Sequence, residues 1–274
     1  MKTSTGRITG HSPHSPFTTL PITKHAQVLT SSLCLLTFAF CFGFSALAEE
    51  RPRSPDAAGV VQLLAIGPGA GDKKQECAAT GLLVNDNGYI LTNAHVVEDA
   101  RRCLASSPGA KILAKFGPGD GRTVEAVACD VVAMDEDHDL ALLKMEKPPP
   151  EGLRGPFLRL CRDPVPAGTR VWVTGHPSFL WQARTYQGKV IARESVALGD
   201  RGGLRTEVLV LDIPLQRGAS GSPVVLESGE VIGVIERQRA SNRLETVAVP
   251  ISDAIELLEA KGIRWHSGQE KAPE

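Results

Sequence analysis

Acid is missing from the first 48 residues. That stretch holds Lys2, Arg7 and Lys24 but no aspartate or glutamate. The rest of the chain, from Glu49 onward, carries 27 basic against 31 acidic side chains, a net of −4. This gives no general electrostatic argument for binding nucleic acid. There is no Cys-x-x-Cys, and no His/Cys spacing suits a zinc site. Two glycine-rich pieces, 67–71 and 117–121, lack the lysine and following serine or threonine of a phosphate loop and read as hairpin loops. The sequence therefore calls for no metal and no cofactor.

What is present begins with length. The chain has 274 residues, 42% of them hydrophobic, enough for one large or two small domains with a packed core. An apolar run at 28–47 ends in Ala46-Leu47-Ala48, a small-x-small cleavage signal, and Glu49-Glu50 follows. Residues 1–48 read as a secretory signal peptide. An uncleaved anchor is the alternative, since the run is nearly long enough to span a bilayer. The expected location is periplasmic or secreted, with no membrane contact after cleavage. Cys77, Cys103, Cys129 and Cys161 would then meet an oxidising compartment, which favours two disulfides. Four cysteines allow three pairings.

After a charged linker at 49–57, short β-branched runs alternate with Gly, Pro and Asp turns at 60–66, 81–84, 89–92, 111–116, 123–128 and 140–145. Residues 147–152, Lys-Pro-Pro-Pro-Glu-Gly, interrupt them as a linker would. A second set follows at 170–174, 188–193, 208–211, 224–226, 230–236 and 246–249. This is an all-β pattern in two sets of similar size. The expected domains are a barrel at 58–147, a linker at 148–156, a second barrel at 157–250, a helix within 251–265 and a tail at 266–274. Ser252 is the expected N-cap of that helix, and Gly262 its end.

The chemistry gathers around Ser220. The stretch Gly218-Ala219-Ser220-Gly221-Ser222-Pro223 predicts a tight turn that holds the hydroxyl outward. Its Gly218 and Ser220 N–H groups would face one side, as an oxyanion hole requires. An ordinary turn serine explains the same letters, and serine is a poor nucleophile without a base. His95 follows the apolar strand 89–92 and opens a short helical stretch at 96–102. Asp139 stands at the entrance of the strand 140–145, where its carboxylate is desolvated and aimed inward. Each alone has an ordinary explanation: a core or solvated histidine, and a turn aspartate.

Taken together, these segments resemble the trypsin-like serine peptidases, especially their bacterial Deg-type branch. The resemblance rests on Thr80-Gly81-Leu82-Leu83-Val84, Leu91-Thr92-Asn93-Ala94-His95-Val96-Val97, Asp139-Leu140-Ala141-Leu142-Leu143-Lys144, Gly175-His176-Pro177, Gly188-Lys189-Val190, the stretch 212–223, Val231-Ile232-Gly233-Val234 and Val247-Ala248-Val249-Pro250, all in order. It implies two perpendicular antiparallel β-barrels with a short C-terminal helix, and a cleft between the barrels. It also implies a triad of His95, Asp139 and Ser220, with Gly218 and Ser220 as the oxyanion donors. Leu215, Gln216, Ile235 and Glu236 would wall the substrate pocket, and the partner would be a peptide or protein substrate. Ala219 departs from the family's usual Asn or Asp, and Ser222 from its usual second glycine. The chain stops after the helix, so a PDZ module is not expected. Digestive relatives clamp the histidine loop with a cystine. By that likeness Cys77 pairs with Cys103, leaving Cys129 and Cys161 for each other. His176 reads as part of a structural loop and His138 as a turn residue.

Three functions fit this reading. The first is an exported serine endopeptidase. The second is a binding module on a protease fold. The third is an esterase that uses the same triad.

Overall fold

The computed structural model describes residues 59–68, 74–116, 125–149, 157–177, 182–198 and 205–267. The expected signal peptide, the linker at 49–57 and residues 69–71 and 117–121 lie outside these, as do 150–156 of the inter-barrel linker and the end of the tail.

The first barrel is built from β1 (Val60–Pro68), β2 (Lys74–Leu83), β3 (Tyr89–Thr92), β4 (Ile112–Phe116), β5 (Glu125–Asp135) and β6 (Leu140–Met145). It closes in the order β1-β2-β3-β6-β5-β4. Helix α1 (Ala94–Leu104) follows β3. The second unit holds β7 (Arg159–Leu160), β8 (Arg170–Gly175), β9 (Arg184–Ala197), β10 (Arg205–Leu211), β11 (Pro223–Val225), β12 (Glu230–Gln238) and β13 (Thr246–Pro250). Its sheet runs β11-β8-β9-β10-β13-β12-β7, and an additional β11–β12 pairing joins the run back on itself. The two-residue β7 pairs in parallel with β12. It is too short to show any periodicity, and the sequence pattern missed it. Gly67 and Pro68 belong to β1, paired with Gln75 and Lys74, so the first glycine-rich piece is partly strand.

Alternation explains why β6 opens on a continuous apolar run, Leu140 to Leu143. Ala141, Leu143 and Met145 face the first barrel's interior with Val61, Leu63 and Ile90. Leu140 and Leu142 face the other way, into a second core with Val225, Val234 and Val249 of the second barrel and Ile255 of the C-terminal helix. Successive strand residues point to opposite faces, so a strand buried on both must be apolar throughout. Each fully buried leucine contributes about 1.5–3 kcal/mol by leaving water. Val171, Leu209, Leu211 and Ala248 fill the interior of the second barrel.

Helix α2 (Ile251–Ala260) differs from expectation at its start. Pro250 is its N-cap, and Ser252 lies inside the first turn with its hydroxyl on Asp253. Pro250 enters the helix with φ −58° and ψ 144° and makes no side-chain cap hydrogen bond. The end is as expected. Gly262 (φ 64°) bonds its N–H to the Glu259 carbonyl, and Ile263 N–H reaches Leu258. This 6→1 and 5→2 pair satisfies the orphan carbonyls of the last turn.

The barrels meet at Thr80 on β2. Its N–H donates to the Ser220 carbonyl (2.9 Å), and its hydroxyl donates to the Gly218 carbonyl (2.9 Å). The same hydroxyl accepts the His176 N–H (3.0 Å). Gly221 lies against it with φ 84°, and a Cβ there would sit 1.9 Å from the Thr80 carbonyl oxygen, so only glycine fits. Thr80→Val keeps the shape and removes the hydroxyl. It is expected to cost about 1–3 kcal/mol, because buried polar groups lose their partner. Urea unfolding measures this, and a variant as stable as the parent would refute the clamp.

Candidate active site

The site is assembled where α1 begins. Asn93, its N-cap, has extended backbone (φ −90°, ψ 154°), yet its side chain makes no cap. Its amide instead donates to the Asp139 carbonyl (3.0 Å). Asp139 stands in the turn just before β6, with φ 52°. This left-handed conformation is uncommon outside glycine, but aspartate tolerates it better than most residues. The turn brings its carboxylate to the helix terminus, where Oδ1 accepts the His95 backbone N–H (2.8 Å). Asp139 thus caps α1 in place of Asn93, and the helix dipole favours its negative charge.

The other carboxylate oxygen, Oδ2, meets His95 Nδ1 at 2.7 Å. Two bonds from one carboxylate fix both the backbone and the ring of His95. That arrangement puts the proton on Nδ1 and leaves Nε2 as the base. Burial by itself lowers the His95 pKa; the hydrogen bond and charge of Asp139 outweigh it, with Glu236 and Asp99 adding to the rise, so the net is upward from 6.5. Asp139 is 3% exposed, as expected for a desolvated, inward carboxylate.

Ser220 sits in the turn after Gln216, with Gly218 at φ 93° and Gly221 at φ 84°. The turn's backbone bonds engage the amides of Ala219 (to Gln216), Gly221 (to Ile235) and Ser222 (to Ala219). The Gly218 and Ser220 N–H groups enter none of these bonds. The Ser220 hydroxyl donates to the Glu236 carbonyl (3.0 Å) and not to the His95 ring. A cleft of about 390 Å³ opens beside it, with Leu63, Cys77, His95, Asp99, Arg217 and Ser220 among its walls.

None of the four expected pocket residues lines this cleft. Leu215 and Ile235 pack into the second barrel's core, and Gln216 is exposed. Glu236 turns toward the histidine: one side-chain atom each of His95, Asp139 and Glu236 lie within 4.8 Å of one another. His95 Nδ1 and both Asp139 oxygens are already committed to each other and to the helix N–H, while Glu236 approaches them without a hydrogen bond to either.

The other histidines behave as the sequence suggests. His138 bonds through Nδ1 to Asp135 (2.8 Å), three residues back in its turn. His176 is buried and its N–H goes to Thr80, a structural role.

The structure forms no cystine among the described cysteines. All four are free thiols in the structure. Cys103 Sγ points at the Gln75 (3.2 Å) and Ala65 (3.4 Å) carbonyls, and the Cys77 side chain lies near it without being joined to it. Burial, with Cys103 adding to it, pushes the Cys77 thiol up to about 11. Cys129 packs in the first barrel's core and Cys161 against the second's, so these two are not neighbours across one loop.

Sequence reasoning missed Thr80 and Asn93 as positioning groups, although both lie in motifs it singled out. Thr80 acts across 138 residues and Asn93 across 46. No local pattern encodes such contacts.

A model of the trypsin-like peptidase domain matches residues 79–234. The chain is 30% identical over 176 residues to a putative serine protease, HhoA, of Synechocystis (64% of this chain, 40% of that protein). It is 35% identical over 184 residues to the putative protease Do-like 14 of Arabidopsis thaliana (66% and 40%). It is 31% identical over 156 residues to the serine endoprotease DegS of Escherichia coli (57% and 38%). The chain thus spans well under half the length of these relatives. Among solved structures, the active form of the Rv3671c protease of M. tuberculosis superposes with a TM-score of 0.61 at 19% identity, covering 82% of this chain and 89% of that one. The HtrA-type protease AlgW with a tripeptide gives 0.59 at 21% identity, covering 76% and 62%. These two likenesses concern the fold alone. With the family match extending over more than half of the sequence, the chain belongs to the trypsin-like peptidase family, with homologues in its Deg/HtrA branch.

Proposed function

We propose that this protein is an exported serine endopeptidase that cuts peptide bonds through His95, Asp139 and Ser220. The observation that carries the reading is the 2.7 Å His95–Asp139 bond beside a Ser220 whose turn leaves two N–H groups uncommitted. A substrate carbonyl at the cleft would draw the Ser220 hydroxyl from the Glu236 carbonyl to His95 Nε2. Such contacts tighten only once substrate is bound. His95 takes the proton as Oγ bonds to the carbonyl carbon, and the Gly218 and Ser220 N–H groups hold the oxyanion. His95 then passes the proton to the leaving amine. Water cleaves the acyl-enzyme with His95 again the base. Asp139 holds the tautomer and stabilises the imidazolium.

The binding-module alternative draws on one observation, the Ser220 hydroxyl bonded away from His95. Labelling with a fluorophosphonate separates the two. The parent chain is expected to label at Ser220, and Ser220→Ala to stay unlabelled and inactive while folded, within about 0.5 kcal/mol of parent stability. Peptidase activity retained by the pure variant would overturn the nucleophile. Cleavage of a peptide library, set against small esters, then distinguishes peptidase from esterase.

Asp139→Asn is expected to keep the fold and to lower kcat on the order of 10⁴-fold at neutral pH, because the amide holds the wrong tautomer. Steady-state kinetics checks this. A drop of less than about tenfold would move the role to Asp137 or Asp135, against the expectation for a triad.

Export adds a proposal for Cys77 and Cys103. In an oxidising compartment this neighbouring pair would become a disulfide between β2 and the end of α1, stabilising by roughly 3 kcal/mol in the chain-entropy model. Non-reducing peptide mapping of protein from its native compartment should find the Cys77–Cys103 peptide. Four alkylatable thiols there would refute it.

A further inference from the structure

Glu236 is an ionisable residue where the strand pattern calls for an apolar or solvent-facing one. β12 pairs Ile235 with Ala248 and Arg237 with Val247, so Glu236 is an extra residue, a bulge. Bulges break alternation and re-aim a side chain, and they recur beside active sites. Here the effect is visible: neighbours Ile235 and Glu236 are both buried, at 1% and 3% exposure. Ile235 fills the second barrel's core. Glu236 is directed to His95 and Asp139 instead.

Its carboxyl group is only half satisfied. Oε1 takes the Arg237 guanidinium (2.5 Å), which is itself 44% exposed. Oε2 is buried with no hydrogen-bond partner. A purely structural carboxyl would have both oxygens bonded, because leaving one unmade is costly. The same residue's main-chain carbonyl holds the Ser220 hydroxyl. One bulged residue therefore touches the proposed nucleophile through its backbone and approaches the proposed base through its side chain.

We propose that Glu236 is a positioning residue for this hydrolysis: a second carboxyl beside the His95 ring whose charge, together with that of Asp139, sets the pH at which His95 becomes a base. The proposal rests on the peptidase reading above. The groups that face Glu236 and the ring are His95 and Asp99 from α1, Asp139 from the turn before β6, and Arg237 from β12. Burial pushes Glu236 upward; Arg237 pulls it down, Asp139 pushes it up and His95 pulls it down, leaving it at about 7. Glu236 and His95 therefore change charge in the same pH range, and the two ionisations belong to the pair. An ionised Glu236 favours the imidazolium that forms as Ser220 attacks. The same charge keeps His95 protonated to higher pH in the free protein.

The direct test follows the His95 ring by nitrogen NMR in the Ser220→Ala protein, which needs no turnover. Adding Glu236→Gln is expected to lower the His95 pKa by about one unit, the low end for a neighbouring charge partly offset by another. In the Ser220-containing chain, the acid limb of kcat/KM should fall in step, and Glu236→Asp, which keeps the charge, should return it toward the parent. Stability provides a second readout. A carboxyl raised from 4.5 to about 7 gives its full stability below 4.5 and loses it as pH rises through 7. The Tm of Glu236→Gln should therefore gain on the parent across that window. A His95 pKa unmoved by Glu236→Gln overturns the proposal. Should that variant not fold, a single-site His95 titration in the Ser220→Ala protein overturns it, since coupling demands a distorted curve. A shifted His95 in a chain that hydrolyses nothing supports the coupling and sinks the peptidase reading. Turnover with an unmoved acid limb does the reverse.

Discussion

Thr80 is the contact on which the site depends. The proposed triad requires a serine turn from one barrel and a histidine from the other to meet within a fraction of an ångström, and hydrophobic packing alone tolerates more slack than that. Hydrogen bonds have narrow distance and angle limits. Thr80 uses its N–H and its hydroxyl on two carbonyls of the serine turn, while its own carbonyl accepts the Thr92 hydroxyl (2.9 Å). Thr92 ends β3 and immediately precedes the cap of α1. A short chain of bonds thus links the Ser220 turn to the helix that carries His95. The missing Cβ of Gly221 allows the approach.

Asp139 solves two problems with one carboxylate. A helix N-terminus needs its amides satisfied, and the histidine of the proposed triad needs its tautomer set. Because α1 begins one residue before His95, its terminus supplies both requirements at the same place. The cost is a left-handed backbone at Asp139 and an Asn93 Oδ1 buried without a partner. Strain of this kind, of order 1–3 kcal/mol, gathers at functional sites where the surroundings over-determine the geometry. Here the surroundings are β6, buried on both faces, and the Asn93 amide.

The β12 strand completes the arrangement from the other side. Its regular part pairs with β11 and β13 and fills the core with Val231, Val234 and Ile235. Its bulge delivers a carbonyl to Ser220 and a carboxyl toward His95. In this structure the Ser220 hydroxyl bonds the backbone, and under the proposed peptidase reading a substrate would draw it to His95.

Much of this was legible in the letters. The edges of β3 and β6, the helix after His95 and the Gly262 stop follow from local rules: β-branched alternation, apolar spacing, and a glycine where φ must be positive. The order of His95, Asp139 and Ser220 among matching motifs pointed to the family. What sequence could not supply was direction. Glu236 reads as a pocket wall until a bulge turns it toward His95, and Ser252 reads as a cap until Pro250 takes that place. The Glu236 outcome depends on partners distant in sequence, through contacts that repay strain or desolvation only once both barrels are in place. Local preference set where the elements begin and end; tertiary packing alone decided which side chains face one another, because burial and hydrogen bonding are properties of the assembled core.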